Sequence, residues 1–322
     1  MRIVVTGGAG FIGSTVALRA AAEGHDVVAV DALLGGPYPA AVKRQRFDEL
    51  AATGLECLQA DLRECEIVGL IGRADVVINE AAMPGQAVSW SDFPLYSSCN
   101  INVVQRLAAA CADAGTRLVQ VSTSSVYGRE AVGDESLPIR PVSPYGVTKA
   151  AAEHLVAAYV REYELDAVVL RYFSVYGPGQ RPDMAYHLFC EAMLDGQTLT
   201  VFGDGRQSRS NTFVDDVAAA TLAALDRGLP GEVMNIAGGE RIELLTALAV
   251  LADELGAEPR INWAPAQTGD QRVTAGIAEH AAAVLGWRPS VSAEDGLRRQ
   301  ARWHLARRSA SEQDGYARGR DR

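Results

Sequence analysis

Thr6-Gly7-Gly8-Ala9-Gly10-Phe11-Ile12-Gly13 spaces glycines at 7, 10 and 13 between a β-branched run, Ile3–Thr6, and an alanine-rich segment reaching Glu23. A chain that turns this tightly from strand to helix brings its amides close to a ligand, with no Cβ in the way. The first turn of the following helix adds a partial positive charge. The stretch therefore predicts a cradle for a pyrophosphate, set where the flanking elements demand it. Asp31 follows the next predicted strand, 18 residues after Gly13. A carboxylate there suits a free ribose diol and repels a 2′-phosphate, which favours NAD over NADP.

Outward from the cradle the same texture repeats. Asp26–Val30, Val76–Asn79, Leu118–Ser122 and Ala167–Leu170 read as strands, several of them continuously apolar. Continuous apolar strands belong to parallel sheets covered on both faces. Helical patterns, Gly13–Glu23, Val103–Ala114 and Tyr145–Tyr163, alternate with them. The expectation is an α/β chain with a doubly wound parallel sheet over 1–172, to which about 213–238 returns. Residues 173–305 are expected to form a smaller α+β substrate-binding region, with helices over Met184–Leu194, Ile242–Leu255 and Ile277–Leu285. The polar stretch 306–322 is expected to be disordered.

Composition bounds the function. At 322 residues, 48% hydrophobic and a net charge of −10, the chain is a globular protein with ample core. An acidic surface argues against a nucleic-acid binder. No run is apolar enough to span a bilayer, and Met1 leads straight into a strand, so a cytoplasmic protein without membrane contact is expected. The five cysteines, Cys57, Cys65, Cys99, Cys111 and Cys190, never fall in a C-x-x-C spacing and read as reduced thiols. The five histidines never approach ligand spacing, so no metal site is expected.

Tyr145 and Lys149 stand four residues apart, on one face of a predicted helix. A neighbouring ammonium favours the phenolate, so the pair predicts a general base. Upstream, Ser122-Thr123-Ser124-Ser125-Val126-Tyr127-Gly128 closes a predicted strand at the end where a doubly wound sheet opens its ligand crevice.

With these motifs in place, the chain resembles the extended short-chain dehydrogenase/reductase family, in its nucleotide-sugar epimerase/dehydratase branch. The likeness covers about residues 2–304 and rests on TGGAGFIG (6–13), Asp31, Asp61-Leu62, Ala81-Ala82, Asn100, STSSVYG (122–128), SPYGVTK (143–149) and LRYFSVYGPGQRPDMA (170–185). VFGDGRQ (201–207), VDDV (214–217), Asn235–Gly239, Gly269-Asp270 and LGWRPSVSAEDGL (285–297) extend it. The resemblance implies a Rossmann fold, a tightly held NAD, a nucleoside-diphosphate sugar as substrate and a homodimer through 103–114 and 145–163. It implies Thr123, Tyr145 and Lys149 as catalytic residues. Gly7, Gly10, Phe11, Ile12, Gly13, Asp31, Asp61, Leu62, Ala81, Ala82 and Asn100 would hold the cofactor with Tyr145 and Lys149. In such enzymes the tyrosine takes the proton of the sugar 4-hydroxyl as C4 is oxidised.

The branch is read from departures. Sugar-nucleotide 4,6-dehydratases generally carry Asp-Glu after the threonine; here Ser124 and Ser125 stand there, and elimination is disfavoured. The segment Tyr38–Leu50 and Arg181-Pro182-Asp183-Met184-Ala185 resemble UDP-glucuronate 4-epimerases. The expected reaction is 4-epimerisation of a UDP-hexuronate, with Ser124, Ser125, Ser174 and Arg181 around the carboxylate and Arg209 and Arg272 on the diphosphate. A dehydratase, a decarboxylase and an epimerase of a neutral UDP-hexose are the alternatives. Asn79-Glu80 replaces a usual His-Leu, which makes Glu80 either a partnered structural acid or a specificity element.

Overall fold

The computed structural model describes residues 1–266 and 272–320, with side chains as far as Ala310. Gly269-Asp270, part of the motif likeness, lies outside the described residues. Seven parallel strands form the central sheet: β1 (Arg2–Thr6), β2 (Asp26–Asp31), β3 (Glu56–Gln59), β4 (Val76–Asn79), β5 (Arg117–Thr123), β6 (Ala167–Tyr172) and β7 (Val233–Ile236). Their order is β7-β6-β5-β4-β1-β2-β3. The order reverses between β1 and β4, and in an open α/β sheet that is where a crevice opens beyond the strand ends.

Alternation along β1 shows why the strands read as unbroken apolar runs. Ile3 and Val5 enter one core with Ile78, Val119 and Val121, while Val4 enters the other with Val28, Val77 and Leu118. Both faces are covered, so neither can be polar. Helices α1 (Phe11–Ala22), α2 (Ala40–Ala52), α3 (Val103–Ala114) and α4 (Pro144–Tyr163) link the strands. α4 starts at Pro144, one residue before its first periodic position, because proline suits a first helical turn and the Ser143 hydroxyl accepts the Gly146 amide at 3.1 Å.

The C-terminal half builds a second, smaller core. Helices α5 (Ala185–Leu194), α6 (Val214–Ala223), α7 (Leu244–Leu255) and α8 (Ala293–Arg320) join short strand pairs such as Thr198–Phe202 with Arg260–Ala264. Tyr176, Phe189, Phe213, Leu248, Leu251 and Leu297 fill that core. α6 instead packs on α1, and β7 pairs with β6, so this stretch belongs to the large sheet.

α8 runs on from Ala293 to Arg320, across most of the stretch 306–322 that was expected to be disordered. Its Ala and Arg residues are good helix formers. Arg308 also reaches Asp195 at the end of α5, at 2.7 Å. Among the described residues no helix is long and apolar enough to cross a membrane.

Candidate active site

The glycine cradle closes on itself. Gly7 has φ +68°, and a Cβ there would meet the Glu80 carbonyl carbon at 2.7 Å; one at Gly13 would meet the Gly7 oxygen at 2.3 Å. These glycines let β1, the turn and α1 lie closer than any side chain permits. Gly10 caps α1 without a side-chain hydrogen bond, which leaves the first-turn amides facing the crevice. Asp31 is held by the amides of Ala9 (3.1 Å) and Leu33 (2.7 Å).

A cavity of about 380 Å³ extends from this cradle. Gly7, Gly10, Phe11, Ile12, Gly13, Asp31, Asp61, Leu62, Ala81 and Ala82 line one end, and Thr123, Ser124, Ser125, Tyr145, Lys149, Ser174 and Arg181 the other. Asp61 faces the cavity while paired with Arg63 at 2.6 Å. A cradle that a Cβ would fill, uncapped helix amides and a carboxylate at the end of β2 together fit a dinucleotide.

Asn100 was expected against the cofactor and is placed behind the wall instead. It is buried, accepts from the Met83 amide at 2.7 Å and donates to the Met83 carbonyl and to Thr148. Its amide supplies both a donor and an acceptor to an irregular loop, which is what buried backbone there requires. The loop it holds, Met83–Trp90, roofs the catalytic end, and Gln86 donates to the Ser125 hydroxyl at 3.2 Å.

At the catalytic end, Thr123 terminates β5 and lines the cavity with Tyr145. Burial pushes the phenol above its usual range, and the Arg181 guanidinium and the Thr123 hydroxyl pull it back. Lys149 is directed to the Val121 carbonyl at 2.6 Å, and burial draws its ammonium down to about 8. Arg181 is itself forked onto Asp183 at 2.7 and 2.9 Å.

The two diphosphate candidates separate. Arg209 lines a second cavity that shares Ser174, Val175 and Met184 with the first. Arg272 does not join it: its side chain is 70% exposed and paired with Asp204 at 2.9 Å across an outer turn. Arg44 and Arg46 on α2 also differ from each other. Arg44 reaches Gln59, whereas Arg46 turns inward to the Gly179 carbonyl at 2.7 Å.

Other residues of the site were given no settled role by the sequence. Arg171 and Glu153 form a buried ion pair beneath Thr123, and Arg171 also donates to Tyr127 at 2.8 Å. Glu80 Oε1 lies 2.9 Å from the Tyr172 hydroxyl and lines the cavity with Lys149 and Tyr145. Burial raises its carboxyl to about 7, against the smaller opposing effects of Tyr172 and Lys149.

Outside the cleft, the reading that no histidines approach ligand spacing is corrected. His187, Glu191 and His304 bring their ligand-type atoms within 4.8 Å of one another. His304 comes from α8, 117 residues beyond His187, so no local spacing could announce it. Two of its atoms are engaged, His304 Nδ1 with Glu191 at 2.5 Å and His187 Nδ1 with the Gln180 carbonyl at 2.9 Å, while His304 Nε2 is buried without a hydrogen-bond partner.

Comparison with known proteins agrees with this geometry. Residues 3–237 match the NAD dependent epimerase/dehydratase family. The chain is 35% identical to an uncharacterized UDP-glucose epimerase of Bacillus subtilis, over 92% of this chain and 96% of that protein. Its fold superposes with a TM-score of 0.90 on a UDP-glucuronic acid 4-epimerase from Bacillus cereus solved with UDP-glucuronic acid and NAD, at 37% identity over 95% of this chain and 99% of that one. A dTDP-glucose 4,6-dehydratase from Streptomyces venezuelae aligns with a TM-score of 0.86 at 32% identity, covering 96% and 98%. The chain belongs to the NAD dependent epimerase/dehydratase family. It is an NAD-dependent epimerase on a Rossmann-type sheet.

Proposed function

We propose that this protein is a 4-epimerase of a UDP-hexuronate, interconverting UDP-glucuronate and UDP-galacturonate. The observation that carries the reading is the catalytic end of the cleft, where Thr123, Ser124, Ser125, Ser174 and Arg181 converge and no carboxylate follows Thr123. Hydroxyl donors and a guanidinium suit a sugar carboxylate, by charge-assisted hydrogen bonds. The neighbouring cavity, continuous through Ser174, Val175 and Met184 and bearing Arg209, suits the nucleotide and its diphosphate.

Gly7, Gly10 and Gly13 with Asp31 would hold NAD, which would supply a hydride acceptor for the sugar C4. Tyr145 takes the proton of the 4-hydroxyl and gives it back, with Thr123 holding the same oxygen. Lys149, fixed on the Val121 carbonyl, presents its remaining protons to the cofactor ribose. Gln86, through Ser125, closes the roof and limits water. We extend the reading to a homodimer through the outer faces of α3 and α4, where Val147 and Tyr163 are exposed.

One observation supports a second reading. Glu80 is a carboxyl on the same wall, and a carboxyl there would suit elimination. Incubation with UDP-glucuronate, followed by NMR, separates them. The C4 epimer is expected; a stable keto product or no turnover would overturn the epimerase assignment.

A further inference from the structure

Glu80 stands at the head of a row of oxygens whose protons can be counted. Its Oε1 is 2.9 Å from the Tyr172 hydroxyl, which is 2.6 Å from the Thr221 hydroxyl, which is 2.7 Å from the Val217 carbonyl. A carbonyl carries no hydrogen, so Thr221 donates to Val217 and has nothing left for Tyr172. Tyr172 must then donate to Thr221, and its only hydrogen is spent. The contact between Tyr172 and Glu80 can be filled only by a hydrogen on Glu80. Were Glu80 ionised, one of the three contacts would set two lone pairs against each other, and Tyr172 and Thr221 are both buried away from solvent.

The surroundings agree. Glu80 follows directly from β4, beside the cradle, and its side chain lines the cleft with Tyr145 and Lys149. Those two and Tyr172 are the titratable groups that act on it or feel it; Lys149, and Tyr172 wherever it donates to Glu80, favour its ionised form, burial and the hydrogen count its neutral one. A negative charge on Glu80 raises both the Tyr145 phenol and the Lys149 ammonium.

We propose that Glu80 is a positioning residue that works as a neutral carboxylic acid. It completes the hydrogen-bond chain through Tyr172 and Thr221 to the Val217 carbonyl and keeps an anion out of the wall facing Tyr145. Loss of its proton breaks the chain and makes Tyr145 a more reluctant proton donor to solvent, so the base is harder to form. This rests on Tyr145 acting as the base, but the protonation of Glu80 can be read without turnover.

The test is difference infrared spectroscopy of the holoenzyme against Glu80→Gln at pH 6. A protonated-carboxyl carbonyl band present in the native enzyme and missing in the variant is expected; a carboxylate band alone would overturn the proposal. In parallel, the phenol transition that disappears in Tyr145→Phe is followed by ultraviolet titration. It is expected roughly half a pH unit or more lower in Glu80→Gln than in the native enzyme. The ratio of kcat in Glu80→Gln to native is expected to rise several-fold from pH 6 to pH 8.5. An unmoved phenol transition with a flat ratio would leave Glu80 a purely structural acid and overturn the proposal. Should Glu80→Gln not fold, Glu80→Leu supplies a neutral wall for the same comparisons. Failure of the epimerase reading would show separately, as undiminished activity in Tyr145→Phe.

Discussion

Arg171 at the end of β6 grips the carboxylate of Glu153 on α4 through two nitrogens, with both side chains only 6% exposed. Ser122 on β5 donates to the same carboxylate, and Arg171 reaches Tyr127, whose hydroxyl continues to Asn235 on β7 at 2.7 Å. Three strands and the helix bearing Tyr145 and Lys149 are thus locked together one layer below the reacting atoms. Glu153→Ala leaves the buried guanidinium without a counter-charge, and unfolding free energy is expected to fall by about 3–5 kcal/mol. Urea denaturation monitored by circular dichroism checks this; a loss below about 1 kcal/mol would contradict the account.

The cradle makes a sharper prediction about the cofactor. A Cβ at Gly13 would come within 2.3 Å of the Gly7 carbonyl oxygen, a contact relieved only by opening the turn. Gly13→Ala is expected to purify without NAD, judged by absorbance of the acid-released nucleotide. Full occupancy would show that the turn adjusts.

Tyr145→Phe keeps the ring and removes the transferable proton. Activity on UDP-glucuronate is expected to fall about 10²–10⁴-fold, the range for losing a general acid–base group, while NAD stays bound. Turnover within tenfold of native would remove Tyr145 from the mechanism.

Glu80 also predicts a pH dependence of stability. Its folded value, about 7, lies above its usual 4.5, so the folded protein holds the extra proton between these limits. Stability from this group is full below about 4.5, declines as pH rises and is lost above about 7, at most about 3 kcal/mol in all. Glu80→Gln should therefore gain stability relative to the native protein from pH 5 to pH 7.5. Parallel chemical denaturation at the two pH values measures it, and an unchanged difference would mean that Glu80 ionises freely in the fold.

Arg181→Ala is expected to raise KM for UDP-glucuronate by at least about tenfold, the equivalent of one lost charge-assisted hydrogen bond. The check is steady-state kinetics, with UDP-glucose as the neutral comparison. Equal losses on both sugars would assign Arg181 to the scaffold.

Much of this was legible in the chain because it is local. The cradle is eight consecutive residues whose glycines set their own turn, and Tyr145 and Lys149 share a helix face through a four-residue step. Continuous apolar runs such as Ile3–Val5 announce a sheet covered on both faces, because each residue meets a core on its own side. Those features follow from backbone geometry over a few residues, and the sequence by itself determined them. Tertiary structure decided what depended on distant partners. It turned Asn100 from a cofactor ligand into a brace for Met83, sent Arg272 outward to Asp204 and Arg46 inward to Gly179, and brought His304 to Glu191. It also placed Arg181 where it favours the Tyr145 phenolate, and it gave Glu80 the neighbour Tyr172 and, through it, Thr221. Charges and hydrogen bonds act through space over a few ångströms, so their partners follow from how the sheet and helices pack and not from positions along the chain.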